Sequence, residues 1–125
     1  MPTLEIDARL RRDGWFQNWI ETIRRLQVDE IQEFGPYEKV DDGDGTTFTA
    51  IPTGQLDEIQ VLVLQAVDQQ LTFRLDGQTD AGIVVNAGGT IILIDVDIDA
   101  AAATNVTVNN NSGSTALIRG VAGGT

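Results

Sequence analysis

Asp95, Asp97 and Asp99 recur at every second position in the apolar stretch Thr-Ile-Ile-Leu-Ile-Asp-Val-Asp-Ile-Asp over residues 90–99. On a strand, period two puts the three carboxylates on one face and Ile94, Val96 and Ile98 on the other. Same-face neighbours then stand about 7 Å apart. Such a row could hold a hard cation such as calcium, above all beside copies from symmetric subunits. It equally suits the solvent side of a half-buried strand, or a charged sheet edge that blocks unwanted pairing. Two such acids are also the equipment of a glycosidase, but no aromatic platform for a sugar surrounds them.

Other reactive chemistry is scarce. The chain has no histidine and no cysteine, which removes the commonest general base, disulfides and thiolate metal sites. Its two serines, Ser112 and Ser114, share one Asn/Gly-rich turn, so a Ser-His-Asp triad is impossible. Asp42-Gly43-Asp44-Gly45 resembles the start of a calcium loop, but the places that need a further ligand and a late glutamate hold Thr46 and Thr53. Gly88-Gly89 sits between two strand-like runs with no lysine near, which suits a tight turn and not a phosphate cradle. Asn105-Val106-Thr107 and Asn110-Asn111-Ser112 match a glycosylation acceptor, but without a secretion signal they read as strand and turn. The residues predict no enzyme, no cofactor and no metal site.

Trp15, Phe16 and Trp19 fall within five positions, flanked by Arg11, Arg12, Arg24 and Arg25. Aromatics mixed with arginines are typical interface anchors, so these residues are the candidate partner-binding set. Trp15, Trp19, Ile23 and Leu26 share a helical face, with Phe16 and Ile20 alongside, and Asp13 offers an N-cap. The spacing predicts a short amphipathic helix of about three turns over residues 15–26. Such a helix either caps its own sandwich or packs against a partner.

These groups must be carried by strands. Leu4, Ile6, Ala8 and Leu10 alternate, predicting a strand over residues 3–10. Residues 27–34 alternate ambiguously and could extend the helix until Gly35-Pro36 ends it. The polar run Asp41-Asp42-Gly43-Asp44-Gly45 divides an N-terminal arm, residues 1–40, from a body, residues 41–125. In the body a strand over 46–51 is followed by the runs QVLVLQAV, QLTFRL, GIVVN, TIILIDVDI, TNVTVNN and STALIRGV, separated by Gly, Asn and Asp turns. About seven or eight short strands predict a mainly β chain, a jelly-roll or Greek-key β-sandwich with the arm in front.

Length and charge narrow the partners. The chain has 125 residues and 42% hydrophobic content, enough for one domain with one core. The longest apolar run, residues 91–94, falls far short of the roughly 20 residues that span a bilayer, and no charged leader precedes an apolar core. A cytoplasmic origin without a membrane partner is expected. The net charge of −11 is unevenly spread. Residues 1–40 carry six cationic and eight acidic side chains, whereas residues 41–125 carry two and eleven. A body so acidic repels phosphate backbones, which argues against nucleic acid.

The body also has a recognisable cadence. The stretch Leu71-Thr72-Phe73-Arg74-Leu75-Asp76-Gly77-Gln78-Thr79-Asp80-Ala81-Gly82-Ile83, then Asn86-Ala87-Gly88-Gly89, Ala103-Thr104-Asn105-Val106-Thr107-Val108 and Ala116-Leu117-Ile118-Arg119-Gly120 resembles the small β-sandwich accessory proteins of tailed bacteriophage virions, of the head-decoration or cement type. The resemblance covers roughly residues 60–125. It implies a structural protein on the capsid surface, binding across neighbouring major capsid protein subunits as a homotrimer and reaching out with an N-terminal arm. A tail, neck or baseplate component, or a carbohydrate-binding head-fibre module, would share the sandwich.

Overall fold

A computed structural model describes residues 3–11, 18–40, 43, 47–51, 56–75, 81–100 and 106–125. It is mainly β. The described strands are β1 (Thr3–Arg11), β2 (Asn18–Gln27), β3 (Glu30–Val40), β4 (Thr49–Ala50), β5 (Glu58–Ala66), β6 (Leu71–Leu75), β7 (Ile83–Val85), β8 (Thr90–Asp99), β9 (Val106–Asn109) and β10 (Ala116–Gly124). β1 and β2 form a two-stranded antiparallel hairpin. The others form two four-stranded sheets in the orders β3-β10-β5-β8 and β4-β9-β6-β7.

The body's pairing is nested. β3 pairs with β10, β4 with β9, β5 with β8 and β6 with β7, all antiparallel. The two sheets are completed by β10 against β5 and β9 against β6. Alternation along these strands builds the core. Leu62, Leu64, Ile118 and Ala122 come from the first sheet, and Leu71, Phe73, Val106 and Val108 from the second, all in one buried cluster. Full burial of a Leu, Ile or Phe contributes about 1.5–3 kcal/mol, so this cluster holds the two sheets together. Glycine at position 120 is a packing requirement, because a β-carbon there would collide with the Val63 carbonyl oxygen on the neighbouring strand.

The N-terminal segment departs from expectation. The helix expected over residues 15–26 gives way to strand β2 from Asn18 onward, and residues 15–17 lie outside the described residues. The physical reason is a partner. β1 presents a strand ladder, and β2 answers it from Thr3↔Gln27 to Leu10↔Ile20. Ile20, Thr22 and Ile23 are β-branched and favour that conformation, and the register sets Glu5 opposite Arg25 and Arg9 opposite Glu21. Gly35-Pro36 does not end an element either, because β3 runs through it. The β3–β10 register shifts there, and proline is tolerated on an edge strand at such an irregularity. The expected boundary at residues 41–45 falls between β3 and β4, with β3 hydrogen-bonded into the body's first sheet.

β8 is also less regular than its sequence. Ile91 and Leu93 pack against the core, and so do Val96 and Ile98. The phase changes because Asp95 adopts φ 58° and the register slips between Ile59 and Val61 on β5. This is a β-bulge, and aspartate is among the residues that tolerate positive φ. Ile94 therefore pairs with Val61 in front of the bulge, whereas Val96 and Ile98 face the core behind it.

Candidate interaction surface

The hairpin touches the sandwich at its base. Gly123 of β10 lies next to core-facing Ala122 and faces the other way. A β-carbon at Gly123 would strike Leu4 Cδ1 and would stand 3.5 Å from each methyl of Val28. Val28 is buried, and so is Val61, the register partner of Gly123, yet neither belongs to the core between the sheets. The absence of a side chain at position 123 thus makes the seat on which the hairpin rests. From Leu4↔Leu26 to Leu10↔Ile20 the ladder runs six residues further, or about 20 Å at ~3.4 Å per residue.

The expected anchor residues are divided by this geometry. Arg24 and Arg25 lie near the base, opposite Ile6 and Glu5. Arg25 Nε donates to Glu5 Oε2 at 2.6 Å, with both side chains largely exposed. Arg11 and Trp19 lie at the far end, where the register steps from Leu10↔Ile20 to Arg11↔Asn18 and passes over Trp19. Arg12, Trp15 and Phe16 lie in the connection between β1 and β2, outside the described residues. The strand pairing therefore brings Arg11 and Trp19 together and keeps Arg24 and Arg25 apart from them.

The aspartate row is broken as well. Asp95 sits in the bulge, whereas Asp97 and Asp99 join Asp57, Glu58 and Thr125 around an open cleft of about 530 Å³. Glu58 faces Asp99 in the β5–β8 register. The Glu58 carboxyl is raised above its ordinary value of 4.5, first by a hydrogen bond with Asp97, then by the charge of Asp97, by desolvation and by the charge of Asp99. Among the described residues no group of three or more His, Cys, Asp or Glu is arranged to hold a metal ion. Sequence reading missed Glu58 because it lies on another strand, and only the β5–β8 register joins it to the row.

A second, smaller cleft of about 240 Å³ is lined by Gln70, Thr72, Asn109, Asn111 and Ser112. Two of its amides are engaged: Gln70 Nε2 donates to Asn86 Oδ1 at 2.8 Å, and Asn109 Nδ2 to the Thr47 carbonyl at 2.7 Å. Of the two phenylalanines in the body, Phe73 lies in the core, while Phe48 is half-buried outside it, with the Arg74 guanidinium 3.8 Å above its ring.

No family model, curated protein or solved structure matches this chain.

Proposed function

We propose that this chain is a structural protein of a tailed-bacteriophage virion, a head-decoration or cement protein that binds across neighbouring major capsid protein subunits and stabilises the shell. One observation carries the reading: a hairpin whose described contact with the sandwich lies at its base, with Arg11 and Trp19 about 20 Å further along its ladder. A two-stranded ribbon is marginal alone in water, so a ribbon this long gains most by lying against something else. The nested strand order supports a jelly roll, an architecture built from two Greek keys and recurrent in viral shells. The acidic body suits the solvent side of such a particle, and the nearly charge-balanced arm suits the protein side.

The mechanism is linkage. A protein that binds only the assembled shell lowers the free energy of that state by its binding energy. Symmetry repeats each modest contact over the surface. Self-association as a homotrimer, a virion location and synthesis in the host cytoplasm belong to the same reading. A tail, neck or baseplate position uses the same arm and sandwich, and copy number per virion separates it, high for a shell protein and low for a tail part. The carbohydrate-binding alternative has less support, since Phe73 is buried and Phe48 lies under Arg74.

The test is binding of the full chain to undecorated capsids, wild type against the Trp15→Ala, Trp19→Ala double variant. The double variant is expected to keep a folded body and to lose at least tenfold in affinity, since aromatic anchors carry about 2 kcal/mol or more each. Equal binding by both would eliminate the arm as the anchor.

A further inference from the structure

Sheet edges are templates for unwanted pairing, and proteins block them with bulges, prolines, charges or brevity. Most described edges of the sandwich carry such a device. β4 has two residues and β7 three. β3 carries Pro36 at a register shift. The second half of β8 carries the Asp95 bulge followed by Asp97 and Asp99. The first half of β8, residues 90–94, carries none. It reads Thr-Ile-Ile-Leu-Ile, it has β5 as its only neighbour among the described strands, and Ile92 is 49% exposed on it.

We propose that this open half-edge pairs with the same segment of a second copy of the chain, antiparallel about a two-fold axis at Ile92. Three observations select a second copy. The open window is symmetric about Ile92, with the Gly88-Gly89 turn closing it on one side and the Asp95 bulge on the other. An antiparallel copy centred there pairs all five open residues, and the contact is isologous, the central residue meeting its own counterpart. In that register Ile92 faces Ile92 and Thr90 faces Ile94 of the other copy. Charge is the second ground. The window is uncharged in a chain of net charge −11, and the antiparallel register carries the two copies of Asp95 to opposite ends, about 20 Å apart along the strands. That separation exceeds the ~8 Å screening length at physiological salt. The third ground is continuity of the outer face. Val121, Val63 and Ile92 stand side by side across β10, β5 and β8, and the pairing extends this row into its copy and covers Ile92.

The result is one continuous eight-stranded sheet with β3 strands at its outer edges. The proposal does not rest on the virion reading and replaces its homotrimer: a two-fold pair and a closed trimer give the purified chain different masses. The test combines the solution mass of the full chain across concentration with amide hydrogen exchange. The expected outcome is a species of twice the chain mass at high concentration, with concentration-dependent protection of the amides in residues 90–94 that point away from β5. Ile92→Lys is expected to abolish both and to leave the fold intact, since the side chain is already half in water. Val84→Lys, an equally exposed apolar residue on the other sheet, is expected to leave the doubled mass unchanged. A single-copy mass throughout, a three-copy mass with these amides open, or a doubled mass indifferent to Ile92→Lys would overturn the proposal. So would protection that arises only when a different protein is added, which would assign the edge to that protein.

Discussion

The sandwich and the hairpin are both antiparallel β-structure, yet they are held by different forces. The sandwich has a face to hide: Phe73, Leu62, Leu64, Leu71 and Ile118 are buried between two sheets. Among its described residues the hairpin has a ladder, an exposed ion pair and a seat at Gly123. Burial contributes kilocalories per residue, whereas an exposed pair such as Arg25–Glu5 contributes about 0.2–1 kcal/mol. Among the described residues, the buried apolar contacts therefore lie between the two sheets, and the hairpin's buried contact is the one at Gly123.

The contrast is sharpest under core truncation. Phe73→Ala is expected to cost about 3–5 kcal/mol, a large share of the 5–15 kcal/mol that domains possess, and to lower the body's melting temperature without touching the hairpin sequence. A loss below about 1 kcal/mol by denaturant titration would place the main core elsewhere. Leu4→Ala works in the opposite sense. It removes the contact on Gly123 and is expected to release amide protection in β1 and β2 while shifting global unfolding by about 1 kcal/mol or less. If the body melts together with the hairpin in that variant, the two regions are one cooperative unit and the contrast fails.

The smallest effect is electrostatic. Because the Glu58 carboxyl is raised in the folded state, the fold favours its protonated form. The stability it contributes is fully present below the unfolded value of 4.5 and is lost as pH rises through the folded value. Asp97→Asn removes the dominant charged neighbour. The variant is expected to lose less stability than wild type between pH 4 and pH 7, by thermal unfolding at each pH. A steeper loss in the variant would contradict the raised carboxyl.

Much of the sandwich is written in plain alternation. Leu71–Leu75 places Leu, Phe and Leu inward and Thr and Arg outward, and its burial alternates accordingly. The hairpin was harder to read, because Trp15, Trp19, Ile23 and Leu26 also satisfy a helical period. What decided against the helix was a long-range fact, the availability of β1 as a ladder, which local spacing does not contain. The β-branched Ile20, Thr22 and Ile23 were the available hint. β8 was legible as a strand but not in its phase. Four consecutive apolar residues, Ile91, Ile92, Leu93 and Ile94, fit either face, and only the bulge at Asp95 settles which of them faces the core. The acidic cleft needed the β5–β8 register, since Glu58 and Asp97 are far apart in the chain.

The place of β10 has a kinetic consequence. It is the last of the described strands, and it lies between β3 and β5, bonded to both. Within its sheet β3 has no other neighbour. The ladder that fixes β3 in its sheet therefore spans most of the chain, and contacts of such sequence separation make folding slow. During synthesis, residues 30–40 cannot form this native ladder before residues 116–124 have been made, so the first sheet is completed last.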